Sequence, residues 1–263
     1  MKALKVTLEV HWGLSINYFF GTKSRPPLRV IPPTTLIGAL AYPIARMMNF
    51  PEVINGQSSA EKIKKMIKGV YYTIEEEYDP FIPYGENTKL VFYKVREKMI
   101  KTDAAPLPRL YSTIPVTITI IYLIDEEKAR EILGDEWEKI LLVSAASMIR
   151  LGARESIISV YSVGLHDARI RENTNGFIRT RYTIPLDSVK PMKISGNYRV
   201  AKIIDWRRTS IGDYVNKPTT LIAQPIPGPT GSEVTIEEPI TYIDVDGEAL
   251  VPWFIAVEEV AYT

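Results

Sequence analysis

The 263-residue chain contains no cysteine. That excludes disulfides, thiol nucleophiles and cysteine-ligated zinc or iron–sulfur centres. Histidine is nearly absent too: the only two are His11 and His166, which makes a zinc site unconvincing. No apolar run is long enough to span a bilayer. Met1 leads into a strand-like segment rather than a signal-peptide core, so a cytoplasmic location without a membrane partner is expected. No Walker lysine motif and no dinucleotide glycine fingerprint occur, and there is no tandem repeat or low-complexity tract. Glutamine is scarce while Ile, Glu, Lys and Tyr are plentiful, a tilt towards thermophile composition. No cofactor is expected.

What is present is an ordinary globular mixture, 46% hydrophobic and 24% charged, long enough for one large domain or two small ones. The formal net charge of +1 hides an uneven distribution. Residues 1–49 carry six basic and one acidic side chain, and residues 150–213 carry twelve and six. Residues 231–263 carry eight acidic and no basic ones. Such asymmetry permits a polyanion-binding face.

Periodicity gives the order of elements. ALKVTLEVHW from Ala3 alternates as a first strand. After a turn-rich stretch with Lys23, Arg25 and Arg29, Pro32 and Pro33 force an extended entry to a helix. Thr34 or Thr35 is expected to cap it, and Pro43 to bend it or end it early. NGQSSAEKIKKMIKG reads as a loop and a helix closed by Gly69, and VYYTIEEEYDP as a strand with one solvent face. Residues 84–114 hold a basic, proline-marked excursion, a hairpin or an arm. PVTITIIYLID is the clearest strand. GDEWEKILLVSAASMIRLG reads as a helix capped by Asp135 and ended by Gly152. A strand and turn carrying His166, a strand with a basic face, and four further strand segments complete the chain. The order predicts an α+β core of the split βαβ, ferredoxin-like type, extended by a β-rich C-terminal portion. The boundary falls near Tyr111–Pro115 or near Asp187–Pro191. Drawn at the latter, residues 1–189 form the first domain and 190–263 the second.

Several residues carry possible chemistry. His166 next to Asp167 is compatible with acid–base work, and equally with a turn. The run Glu75, Glu76, Glu77, Asp79 reads as solvated surface, and YIDVDGEA as a tight turn whose ligand spacing falls short of a calcium loop. The strongest signal is for nucleic acid. Arg150, Arg154, Arg169, Arg171, Arg179 and Arg181 recur around strands, interleaved with Phe177 and Tyr182. Arginine neutralises phosphate in bidentate fashion, and aromatic rings stack on splayed bases. Arg207 and Arg208 adjoin Trp206, and Lys94, Arg96, Lys98 and Lys101 line the excursion. The competing reading is a set of surface ion pairs.

Three stretches resemble one family. His11-Trp12-Gly13 follows the first strand, PPTTLIGALAYPIAR runs from Pro32 to Arg46, and IRLGARESIISVYSV runs from Ile149 to Val163. Together they resemble the fifth CRISPR-associated protein family, a RAMP-type backbone subunit of type I Cascade, and most of all its archaeal type I-A variant. The likeness covers about the first 165 residues and is looser beyond them.

The resemblance implies an RNA-recognition-type N-terminal domain that holds the 5′ repeat-derived handle of a CRISPR RNA and caps the backbone. It implies contacts with the repeated backbone subunit and the large subunit, and a protruding thumb hairpin near the guide–target DNA duplex. On this reading the RNA-binding residues are His11, Trp12, Lys23, Arg25, Thr34, Thr35, Arg46, Arg150, Arg154, Arg179 and Arg181. The thumb carries Lys94, Arg96, Lys98, Lys101 and Arg109. One branch of the family cuts precursor RNA without metal, using Tyr, Lys and His. No full set is matched here, although His11 or His166 with Tyr18 or Lys23 are its candidates. No catalytic residue and no enzymatic activity are therefore expected. An endoribonuclease acting on repeat RNA is the alternative.

Overall fold

The alternation that opens the chain forms β1 (Lys2–Val10), which lies inside a six-stranded sheet. Leu4, Val6, Leu8 and Val10 are fully buried, while Lys5, Thr7 and Glu9 on the other face are half-buried. The computed structural model describes residues 1–17, 26–174, 176–189, 193–209, 218–229, 232–238 and 240–253, with side chains 86–90, 92 and 103–108 left out. Tyr18, Lys23 and Arg25 lie outside the described residues.

In chain order β1 is followed by β2 (Gly13–Leu14), α1 (Pro33–Met47), a small hairpin of β3 (Val53–Ile54) and β4 (Gln57–Ser58), α2 (Ala60–Lys64) and β5 (Ile67–Ile74). Next come β6 (Ile82–Lys94), β7 (Met99–Tyr111), β8 (Val116–Ile124), α3 (Glu126–Leu133), α4 (Trp137–Ala146) and β9 (Ile158–Glu172). The order β9-β1-β8-β5 is antiparallel throughout. α1 connects β1 to β5, and α3 with α4 connects β8 to β9, so each pair of connected strands is split by a third. The fold class is α+β. Leu36, Ile37, Leu40 and Ile44 of α1, and Leu141 and Ala145 of α4, close the core over the apolar face of the sheet.

The remaining strands are β10 (Ile178–Thr180), β11 (Ile184–Pro185), β12 (Ile194–Ser195), β13 (Tyr198–Ile204), β14 (Thr219–Pro225), β15 (Val234–Ile236), β16 (Thr241–Val245) and β17 (Glu248–Leu250). Two three-stranded sheets, β10-β15-β12 and β11-β14-β13, enclose a second small core around Ile184, Ile194, Ala223, Val234 and Ile236. β16 and β17 then return to the first sheet beyond β9. Their turn places Asp246 and Gly247 at positive φ, 51° and 83°, as the tight-turn reading of YIDVDGEA requires.

Several local expectations are corrected. α1 is capped by no threonine hydroxyl: Pro32 is the N-cap, extended, and its carbonyl accepts from the Thr35 and Leu36 amides. Pro33 begins the helix with φ already set. Pro43 does not stop it either, because Pro43, Leu40 and Ile44 are all buried and the helix continues to Met47. The next helix ends at Lys64 rather than Gly69, which sits beside a register shift in β5. β5 is buried on both faces, since Trp253 donates from its ring nitrogen to the Val70 carbonyl at 3.2 Å and Tyr182 joins the same core. In the carboxylate run after it Glu75 and Glu77 are exposed, as the solvated-surface reading expects, while Glu75 and Asp79 also pair with arginines and Glu76 accepts from the Thr117 amide.

α3 was not expected. Asp125 reads as the end of a strand, but its carboxylate accepts from the Lys128 amide at 3.2 Å and starts a new helix. α4 starts after Glu136 without a side-chain cap and stops at Ala146, so neither Asp135 nor Gly152 bounds it. His166 lies within the long strand β9, opposite Ala3, not in a turn.

Candidate nucleic-acid interface

The extended entry at Pro32 and Pro33 sets the start of α1 against the loop that follows α4. Gly152 in that loop has φ +97°, and a Cβ there would stand 3.2 Å from the Ile16 side chain and 3.4 Å from the Ser15 carbonyl oxygen. The Ser15 amide donates to Ser156 Oγ at 2.8 Å, and Arg150 bridges to Ile157. The loop is thus pinned between the segment after β1 and the first turn of α1. This places the Arg150 guanidinium over the ring of Tyr42 on α1, 4.9 Å from its centroid.

Four hollows follow this seam. The first, of about 190 Å³, lies among Trp12, Tyr84, Arg109, Tyr111 and Ser156 at the root of the β6–β7 hairpin. The second shares Ser15 with it and reaches Thr34, Thr35 and Gly152. The third shares those three residues and adds Gly38, Tyr42 and Arg150. The fourth, of about 790 Å³, shares Gly38, Tyr42 and Arg150 and opens between α1 and the β3–β4 hairpin, past Arg46, Phe50 and Gln57. Neighbouring hollows share wall residues, so they follow one another along the seam as a stepped furrow. It brings together Trp12, Thr34, Thr35, Arg46, Arg109 and Arg150 from the residues singled out in the sequence.

Charge pairing sorts the arginines. Arg46, Arg150 and Arg154 meet no carboxylate at ion-pair distance among the described residues. Arg181 bonds Glu75 and Glu248, both at 2.6 Å, and joins β5's exit to β17. Partial burial pulls its pKa down, yet the Glu248 bond and the Glu75 charge hold it above the ordinary value. Arg171 is likewise taken by Asp244, and Arg207 by Asp205 and Asp187. Trp206 is buried, edge-to-face with Trp253 at 6.0 Å, so it offers no stacking surface. Arg179 is exposed on β10 but lines none of the four hollows.

The excursion is a hairpin with thirteen paired positions, from Ile82 opposite Tyr111 to Lys94 opposite Met99, held at its root by β2 against β7. At its tip Lys94 and Lys101 grip Glu97 at 2.6 and 2.5 Å. Lys101 first, then Lys94, draws the Glu97 pKa below the ordinary carboxylate value. Arg96 and Lys98 are exposed beside them, and Val91, Tyr93, Val95 and Ile100 expose more than half of their surface. Arg109 belongs to the root, 3.6 Å from Glu155.

His11 sits at the end of β1, with Nε2 2.8 Å from Ser159 Oγ and Nδ1 3.2 Å from Glu9. The Tyr161 hydroxyl donates to Glu9, and that bond raises the phenol above its ordinary value. The set fixes the imidazole beside exposed Trp12. The His166–Asp167 step does not act as a unit, since neighbours on a strand face opposite ways: His166 meets Asp246 at 2.5 Å, and Asp167 meets Lys2 at 2.9 Å. Among the described residues no group of three or more His, Asp or Glu is placed to hold a metal ion, and no helix is long and apolar enough to cross a membrane. Sequence reasoning missed Tyr42, Phe50, Gln57, Tyr84 and Tyr111. The one available signal was Tyr42, a large ring among the small residues of α1.

No family model matches the chain. It is similar to two curated proteins of Saccharolobus solfataricus. With "CRISPR-associated protein Cas5 3" it shares 26% identity over 189 residues, 68% of this chain and 70% of that protein. With "CRISPR system aCascade subunit Cas5 1" it shares 27% over 187 residues, again 68% and 70%. Its fold is that of a CRISPR protein from Archaeoglobus fulgidus, with a TM-score of 0.62 at 19% identity over 96% of this chain and 99% of that one. The chain is thus similar in sequence to archaeal Cas5 proteins, and it shares the fold of an archaeal CRISPR protein.

Proposed function

We propose that the chain is a non-catalytic CRISPR RNA-binding subunit of a type I-A Cascade complex. It holds the 5′ repeat-derived handle in the furrow along α1 and caps the backbone. The observation that carries this reading is the series of hollows along the seam, lined by Arg46 and Arg150, which meet no carboxylate at ion-pair distance among the described residues, and by exposed aromatic rings. Free guanidinium groups suit phosphates, and open ring faces suit unstacked bases, which is how single-stranded RNA is gripped. The split β-α-β sheet order supports a ferredoxin-like core within residues 1–189, with Trp253 of the β-rich 190–263 portion packed on β5. The β6–β7 hairpin, with exposed Arg96, Lys98 and apolar side chains, suits a thumb laid against the guide–target duplex. The repeated backbone subunit and the large subunit are the partners this reading requires.

The similarity to a protein named as an aCascade subunit supports the assembly role. Anisotropy of a labelled repeat RNA, titrated with the protein together with the neighbouring backbone subunit, tests the reading. Binding that weakens in Arg46→Ala, Arg150→Ala and Arg154→Ala, without cleavage, is the expected result. A second reading has one observation in its favour, the oriented and exposed imidazole of His11. Metal-free cleavage of repeat RNA, abolished in His11→Ala, replaces the first reading with the endoribonuclease.

A further inference from the structure

The fourth hollow differs from the other three. At about 790 Å³ it lies within the range of small-ligand clefts, roughly 300–1,000 Å³. One wall is the outer side of α1, where Gly38, Ala41 and Ala45 keep the surface low around Tyr42. The opposite wall is the β3–β4 hairpin, whose turn at Asn55 and Gly56 (φ 51° and 79°) turns Gln57 into the cleft mouth. Phe50 forms part of the floor, with the Lys62 ammonium 4.2 Å from its ring centre.

Three features together select the occupant. Tyr42 is 42% exposed, so part of a large aromatic side chain is left open at the cleft wall. The Arg150 guanidinium stacks on that ring, and a planar guanidinium is itself a platform for a base. Arg46, one helical turn beyond Tyr42, has no carboxylate partner at ion-pair distance among the described residues and lines the same cleft, whose lining sets two guanidinium groups against the one carboxylate of Glu52. An apolar peptide would leave both guanidinium charges unmatched. A nucleotide matches the base to the Tyr42–Arg150 stack and its phosphates to Arg46 and Arg150.

We infer that the cleft between α1 and the β3–β4 hairpin is a pocket for one unstacked nucleotide of the bound RNA, its base on Tyr42 and Arg150 and its phosphate at Arg46. The inference rests on the RNA-binding reading above and adds a base-recognising site to a phosphate-tracking furrow. Gln57, carrying both donor and acceptor atoms at the cleft mouth, is the group placed to read the base edge.

An abasic scan tests it. Fluorescein-labelled single-stranded RNAs of the host CRISPR repeat, each lacking the base at one successive position, are titrated against wild type, Tyr42→Ala and Tyr42→Phe, with the neighbouring backbone subunit present. Stacking predicts one position where the missing base weakens wild-type binding by about five- to a hundredfold. At that position the loss falls to about twofold or less in Tyr42→Ala, because the ring it used is gone, and returns in Tyr42→Phe. Losses that simply add at every position, with intact RNA still bound by wild type, overturn the pocket and leave the RNA-binding reading standing. Failure of wild type to bind the intact RNA overturns that reading and the pocket with it.

Discussion

Arg150 and Arg181 look alike in the sequence and are opposites in the structure, which makes them a matched pair for mutation. Among the described residues Arg150 has no carboxylate partner, and its guanidinium lies over the Tyr42 ring at 4.9 Å. Removing it as Arg150→Ala gives up about 0.5–1 kcal/mol, the usual worth of such a contact near the surface. Its effect should fall on RNA instead. Each phosphate contact with a single strand contributes about 0.7 to the slope of log K against log salt. Losing one contact therefore narrows the affinity drop between roughly 50 and 200 mM salt by about two- to threefold. Arg181→Ala should do the reverse. It strands Glu75 and Glu248, whose side chains are each 25% exposed, so the loss stands at the lower end for a broken buried pair, about 3 kcal/mol. In a chain of this size that is about 6–12 °C in Tm. Thermal melts and anisotropy titrations at several salt concentrations measure both. A flattened salt slope in Arg181→Ala, or an unchanged one in Arg150→Ala, would refute the reasoning from charge pairing.

Three further outcomes are expected. Thr34→Ala and Thr35→Ala should each cost less than about 0.5 kcal/mol in a denaturant melt, since neither hydroxyl caps α1, whereas a capping threonine would cost about 1 kcal/mol. Asp125 has a lowered pKa: partial burial pushes it up, but the Lys68 ammonium and the Lys128 amide outweigh this, so its stabilisation is complete above the unfolded value and fades as the pH falls through the folded one. The Tm gap between wild type and Asp125→Asn should accordingly shrink below about pH 4, and a gap that widens there would contradict the assignment. Replacing residues 88–105 by an Asn-Gly turn should leave Tm within about 3 °C, because the described side chains of the outer hairpin are largely exposed, and a larger fall would mean that they pack on the body.

The main sheet was legible because β1 alternates buried and half-buried positions and β8 is an apolar, β-branched run buried almost throughout. What failed was decided from far away. β5 was expected to face solvent from its charged exit, but Trp253, more than 180 residues on, covers it. Pro43 was expected to bend α1 or end it early, yet the helix runs on to Met47 with its buried face packed on the sheet. The site divides the same way. The threonines and Arg46 could be placed from one helix, while Tyr42 could not be joined to Arg150 without the loop that Gly152 and Ser156 pin in place. Nor could counting separate Arg181 from Arg150, because the carboxylates that claim Arg181 stand at positions 75 and 248. A polyanion is bound by the cations a fold has left unmatched, not by the number the chain contains, and matching is a property of tertiary contacts. The near-neutral total charge is therefore no argument against an RNA-binding face: the acidic 231–263 segment supplies Asp244, Asp246 and Glu248 to Arg171, His166 and Arg181, and among the described residues Arg46 and Arg150 are left out of that exchange.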